Sequence, residues 1–140
     1  MASASEPDLL EDRIQSVRRR DRRFSRQAYY FVLDALDYTM SELGKDELTG
    51  EERHVGGRDL LRCLREYAAD QFGPMASVVF ERWGVTSTED FGEIVFNLID
   101  AELLSRRPQD SRRDFVDGFD FAATFAAKYR ERLELISAGR

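Results

Sequence analysis

The chain contains one histidine, His54, and one cysteine, Cys63, so any Cys–His nucleophile and base would have to come from this pair. No third side chain is placed by spacing to orient the imidazole. His54 precedes Val55-Gly56-Gly57 and reads as a loop residue bonded to backbone, while Cys63 lies beside an apolar helix face and reads as a small core residue. Gly44-Lys45 does not complete a phosphate loop, because Thr39 stands where a glycine is needed and Asp46 where a hydroxyl is needed. Asp114 to Asp120 does not complete a calcium loop either: with Gly118 as the turn glycine, Arg113 and Phe115 take the first two ligand positions. The remaining chemistry is carboxylate chemistry. Asp34 and Asp37 stand one helical turn apart, as do Glu93, Asn97 and Asp100, so each set lines one helix face. Such a stripe could hold a metal or move protons. The reading adopted is a structural ion-paired network, with Glu93, Asn97 and Asp100 meeting Arg58, Arg62 or Arg65, and the same arginines available to Asp34 and Asp37. No catalytic residue, metal ligand or cofactor is assigned.

These residues need elements to position them, and apolar periodicity supplies mainly helices. Leu10, Ile14 and Val17 predict a first helix over about Pro7 to Arg22. Phe24, Ala28, Phe31, Val32, Ala35, Leu36, Met40 and Leu43 predict a second, closed by Gly44. Lys45 to Gly57 reads as a loop. Arg58 to Phe72 is a third helix stopped by Gly73-Pro74, and Pro74 to Trp83 a fourth. Thr86-Ser87-Thr88-Glu89 has the form of a capping box for a fifth, over about Thr88 to Leu104. That helix is apolar almost all round and belongs at the centre, with Phe91, Ile94, Val95 and Leu98 as its core face. Ser105 to Gly118 reads as a short β-hairpin in preference to a loop, and Asp120 caps a last helix carrying Phe121, Phe125, Tyr129, Leu133 and Ile136. The expected fold is mainly α, a compact domain of five to six helices with a helix-turn-helix-like core.

With 140 residues and 34% charged side chains the chain suits one globular domain. No apolar run approaches the roughly 18 residues of a membrane span. The unpaired cysteine and the absence of a signal-like N-terminus point to the cytoplasm. The net charge of −6 is unevenly divided. Residues 1–26 carry a net +2, with Arg18, Arg19, Arg20, Arg22, Arg23 and Arg26 clustered, and the remainder carries −8. The organisation expected is an arginine-rich arm or helix over residues 1–23 and a helical domain over 24–140.

The order of the third, fourth and fifth helices followed by a hairpin is that of a winged helix-turn-helix. Its would-be recognition helix, however, opens with Glu89, Asp90 and Glu93 and has no Lys or Arg from Thr88 to Leu104, whereas affinity for nucleic acid is dominated by phosphate neutralisation. Contacts to phosphate would fall instead to Arg106, Arg107, Arg112 and Arg113 and to the N-terminal arginines. The function expected is that of a non-enzymatic adaptor or regulator binding another protein, or itself, through a helical surface; the alternative is a winged-helix-like nucleic-acid-binding regulator using the arginine arm.

His54 to Leu61, Gln71-Phe72-Gly73-Pro74-Met75-Ala76, Trp83-Gly84-Val85, the string Thr88 to Leu98, and the later Asp110-Ser111, Asp114-Phe115 and Phe119-Asp120-Phe121 resemble an uncharacterised bacterial family of small cytoplasmic proteins sometimes labelled predicted repeat proteins. The resemblance covers roughly residues 30–125 and implies no activity, ligand or site residue. The arginines before Phe24 lie outside its pattern. Aligning Val32–Leu43 with Val95–Arg106 matches apolar positions but no distinctive ones, so no internal repeat is read.

Overall fold

A computed structural model describes residues 2–3 and 7–139. It is mainly α-helical, with α1 over Pro7–Arg20, α2 over Arg26–Glu42, α3 over Gly57–Phe72, α4 over Ala76–Arg82, α5 over Thr88–Asp100 and α6 over Phe121–Ala138. The punctuation follows local chemistry. Ser25 caps α2 by accepting from the Ala28 amide at 3.4 Å, and Asp120 caps α6 by accepting from Ala123 at 2.9 Å. The fourth helix is shorter than its periodicity predicts, because Gly73–Met75 first forms a 3-10 turn in which Pro74 has no amide to donate.

α5 also stops early, at Asp100, where Ala101 and Glu102 turn the chain and Glu102 takes a positive φ of 61°. Leu104–Ser105 then becomes a two-residue strand, β2. Its partner is β1, Ala2–Ser3, paired antiparallel with Ala2 opposite Ser105 and Ser3 opposite Leu104. The expected hairpin within Ser105–Gly118 does not form. Ser111 and Asp114 make a reciprocal capping box that winds Arg112–Phe115 into a 3-10 turn, which uses the backbone groups a second strand would have needed.

One apolar cluster runs from Ile14 and Val17 on α1 to Phe121 and Phe125 on α6. The N-terminal segment is therefore part of the fold rather than an arm hung from residue 24: its arginines cover a helix whose other face is core. α2 packs against α3 and α5, and α6 packs against α4 and the Gly73–Met75 turn. Phe91, Ile94, Val95 and Leu98 are all buried without exposure, so α5 is central as expected. Around it the phenyl rings of Phe31, Phe80, Phe91, Phe121 and Phe125 form a connected aromatic core.

Two close approaches depend on glycine. Gly84 has φ +86° and lies against the Arg23 carbonyl, where a side chain would strike backbone. The corner is completed by the Ser25 amide, which donates to the Trp83 carbonyl at 3.0 Å. On the other side of α5, Phe115 wedges between α3 and α5. A Cβ at Gly92 would lie 2.8 Å from Phe115 Cβ, and one at Gly57 would lie 2.9 Å from its Cε2. Thr88 locks the wedge by donating its hydroxyl to the Phe115 carbonyl at 2.7 Å and accepting from the Gly118 amide at 3.0 Å.

Candidate functional site

The acidic stripe of α5 faces the corner between α1 and α2. Glu93 lies 3.8 Å from Arg23 and 3.4 Å from Arg112. Asn97 donates to Asp21 at 2.9 Å and to the Tyr29 hydroxyl at 3.0 Å, and Arg23 grips Asp21 at 2.7 Å. The ion-paired network exists, but not with the arginines expected for it. Arg62 pairs with Asp59 at 3.4 Å and Arg65 with Glu66 at 3.7 Å, both on their own helix, and Arg58 is exposed. The reason is helical phase: α3 turns Leu60, Leu61, Leu64 and Ala68 inward, which sends its arginines to other faces. Asp100, at the end of α5, is exposed and joins no ion pair among the described residues.

The two arginine groups singled out by sequence meet across α5. Arg112 bonds Glu93 and lies 4.6 Å from the Phe96 ring centroid, Arg106 lies 5.2 Å from the same ring, and Arg23 reaches Glu93 from the other side. Arg107 is tied to buried Asp110 at 3.7 Å. Arg26 is bonded by Glu11 at 2.6 Å, Arg19 donates to Ser16 at 3.1 Å, Arg18 is half-buried, and Arg20, Arg22 and Arg113 are exposed. Several of these cations thus already serve the fold. The winged arrangement is not reproduced. The helix in the recognition position is buried on most of its surface, and the wing is replaced by the Phe115 wedge.

His54 is held by backbone: its amide donates to Glu51 at 3.2 Å and its carbonyl accepts from Lys45 Nζ at 2.7 Å. Burial lowers the imidazole pKa. Cys63 is buried on α3, and among the described residues no hydrogen bond joins it to His54. No three His, Cys, Asp or Glu side chains gather into a metal-sized cluster among the described residues. No described helix is long and apolar enough to cross a membrane.

Two surfaces escape the sequence reading. The first is an open cleft of about 460 Å³ between α2, the end of α3 and Trp83, walled by Tyr30, Phe31, Tyr67, Phe72 and Trp83 with Asp34 on its rim. Among the described residues Asp34 has no arginine partner, contrary to expectation. Partial burial, and then the neighbouring Asp37, push its carboxyl pKa up. The second is the outward side of α6, where Tyr129, Leu133 and Ile136 are 42%, 45% and 59% exposed. Both were visible in the sequence as helical apolar stripes, and a stripe says nothing of whether a neighbour covers it.

Beside the cleft residues Arg26 and Tyr30, Glu11 accepts from the Arg26 guanidinium and from the Tyr30 hydroxyl, and these bonds hold its carboxyl at about 2 against an ordinary 4.5. A depressed carboxylate pKa favours the folded state above the ordinary value, and that contribution disappears as the pH falls through the folded value. Thermal stability should therefore decline between pH 4.5 and about 2, and Glu11→Gln should make that decline shallower in a series of melting curves. A decline of unchanged slope in the variant would show that the pair contributes nothing to folding.

Searches against protein-family models, curated proteins and solved structures find no match to this chain.

Proposed function

We propose that the chain is a non-enzymatic protein-binding module whose contact surface is the outward face of α6. The supporting observation is the second half of that helix. Phe121 and Phe125 are its buried anchors, and every residue from 129 to 139 is exposed. Isolated helices of this length are marginal in water and gain most of their stability by packing an apolar face. Tyr129, Leu133 and Ile136 recur at steps of four and three, the spacing of a helix that docks against another element. On the neighbouring side, Lys128 pairs with Glu66 at 2.7 Å and Arg132 with Asp70 at 3.5 Å, so α3 holds the helix in place while the apolar stripe stays uncovered.

The double variant Leu133→Glu, Ile136→Glu tests the reading. Surface substitutions of this kind change stability by less than about 0.5 kcal/mol, so melting should be unaffected. Association, read as a second copy by light scattering or as co-purifying proteins by mass spectrometry, should be lost. An association pattern identical in the two proteins would remove α6 as the contact surface.

A further inference from the structure

Phe31 forms the floor of the cleft between α2 and α3. The ring centroids of Tyr67, Phe72 and Trp83 lie 5.5, 5.7 and 5.3 Å from its own, and Tyr30 stands beside it on α2. Apart from Phe31, these rings are only half-buried: they pack against the core and leave part of their surface to the cleft. Asp34 follows one turn later on the rim and is engaged by no hydrogen bond or ion pair among the described residues. Asp37 and Asp70 add negative field at Tyr67. Ring faces carry a negative quadrupole and attract cations, most strongly where water is thinned out. The protein already makes a contact of this kind among the residues that line the cleft. The Arg26 guanidinium lies 4.9 Å from the Tyr30 centroid, with its charge met by Glu11 at 2.6 Å. Among the described residues Asp34 has no such counterpart.

The kind of cation follows from the walls. A bare ammonium brings three donors and a guanidinium five, and each must be satisfied when it leaves water. Besides its rings and Asp34 the cleft is lined by Arg26, whose charge Glu11 already meets, and by the exposed amides of Gln27 and Gln71, so a cation with few or no donors to satisfy matches these walls best. An alkylated ammonium has a diffuse charge, few or no donors, and methyl groups that pack on ring faces. We propose that this cleft binds an alkylated ammonium group, with Tyr67, Phe72 and Trp83 against its methyls and Asp34 supplying the countercharge. The group could be carried by a free small molecule or by a methylated lysine of a polypeptide; the chemistry of the site is the same. This inference stands apart from the α6 reading, since neither Leu133 nor Ile136 lines the cleft.

Trp83 is the only tryptophan in the sequence, so its fluorescence reports on the cleft alone. The full chain is titrated at constant ionic strength with choline and with its neutral carbon isostere, 3,3-dimethylbutan-1-ol. Choline should saturate the Trp83 signal, and the isostere should require at least about tenfold more, the scale of a desolvated cation–π contact. Asp34→Asn should weaken choline by about tenfold, and Gln71→Lys, which places a cation at the exposed rim, should abolish binding. Both positions are exposed, so the variants should melt like the parent, and unchanged melting keeps a loss of binding attributable to the site. A second arm compares a trimethyllysine peptide with its unmodified twin. Tighter binding than choline by the methylated peptide alone assigns the group to a polypeptide; binding no tighter than choline assigns it to a free molecule. An isostere as good as choline, or a Trp83 signal that neither choline nor the methylated peptide moves, would overturn the proposal.

Discussion

Replacing Val95 with aspartate is expected to leave the chain unfolded or molten at room temperature. Val95 has no exposed surface and sits midway along α5, whose neighbours on either side, Ile94 and Phe96, are also buried. A carboxylate there would have no cation within reach, because the arginines near α5 meet Glu93 and Phe96 at its edge. Burying an unpaired charge costs several kcal/mol even after the group shifts its pKa and takes up a proton. The whole stability of a domain of this size is only about 5–15 kcal/mol. Val95→Thr, which keeps the volume and adds one hydroxyl, should lose a smaller amount, on the order of 1–3 kcal/mol. Urea titration followed by circular dichroism measures both. A Val95→Asp protein with the parent's midpoint would make α5 peripheral and would dismantle the description of the core.

Phe115→Ala should cost about 3–5 kcal/mol, the range for deleting a buried phenyl ring. The residue has no exposed surface although it lies in a short 3-10 turn, because Gly57 and Gly92 let α3 and α5 approach both of its faces. Those glycines supply a second, opposite-signed check. In an exposed helix Gly→Ala stabilises by about 1 kcal/mol. At Gly92 the added methyl would meet Phe115 Cβ at 2.8 Å, and overpacking of that kind costs about 1–3 kcal/mol, so Gly92→Ala should destabilise on balance. Combining it with Phe115→Ala should cost less than the two losses added, since the ring atoms Cγ and Cδ2 that the methyl would meet at 2.9 and 3.1 Å are gone, although alanine keeps the Cβ. Strict additivity in denaturant titrations of the three variants would show that Phe115 does not fill the gap between the helices.

The two regions differ in how legible they are in sequence. α5 was legible because Phe91, Ile94, Val95 and Leu98 repeat at the helical period and nearly every other face is apolar as well; such a helix has only the centre of a fold to go to. Phe115 was not. It lies between Arg112, Arg113 and Asp117 with no periodicity around it, and the signal that existed was a pair of glycines far away along the chain, Gly57 at the end of an expected loop and Gly92 inside an expected helix. The same limit applies to the arginines. Their clustering near the N-terminus was plain, but which of them are free depends on Asp21, Glu11 and Glu93, which reach them only through the fold.

Sequence alone determined the mainly helical class, the central place of α5, the cap at Asp120, and the lack of any complete phosphate-loop or calcium-loop pattern, because each of these depends on residues within a few turns of one another. Tertiary structure decided the rest. It joined the first helix to the core, paired Leu104–Ser105 with Ala2–Ser3 instead of forming a hairpin, and gave Glu93 to Arg23 and Arg112 rather than to α3. It also left one aromatic cleft and one helical stripe uncovered. A periodic pattern shows which side of a helix is apolar; the neighbour that covers that side, or fails to, is set by how whole helices pack, and that depends on contacts between residues distant in the chain.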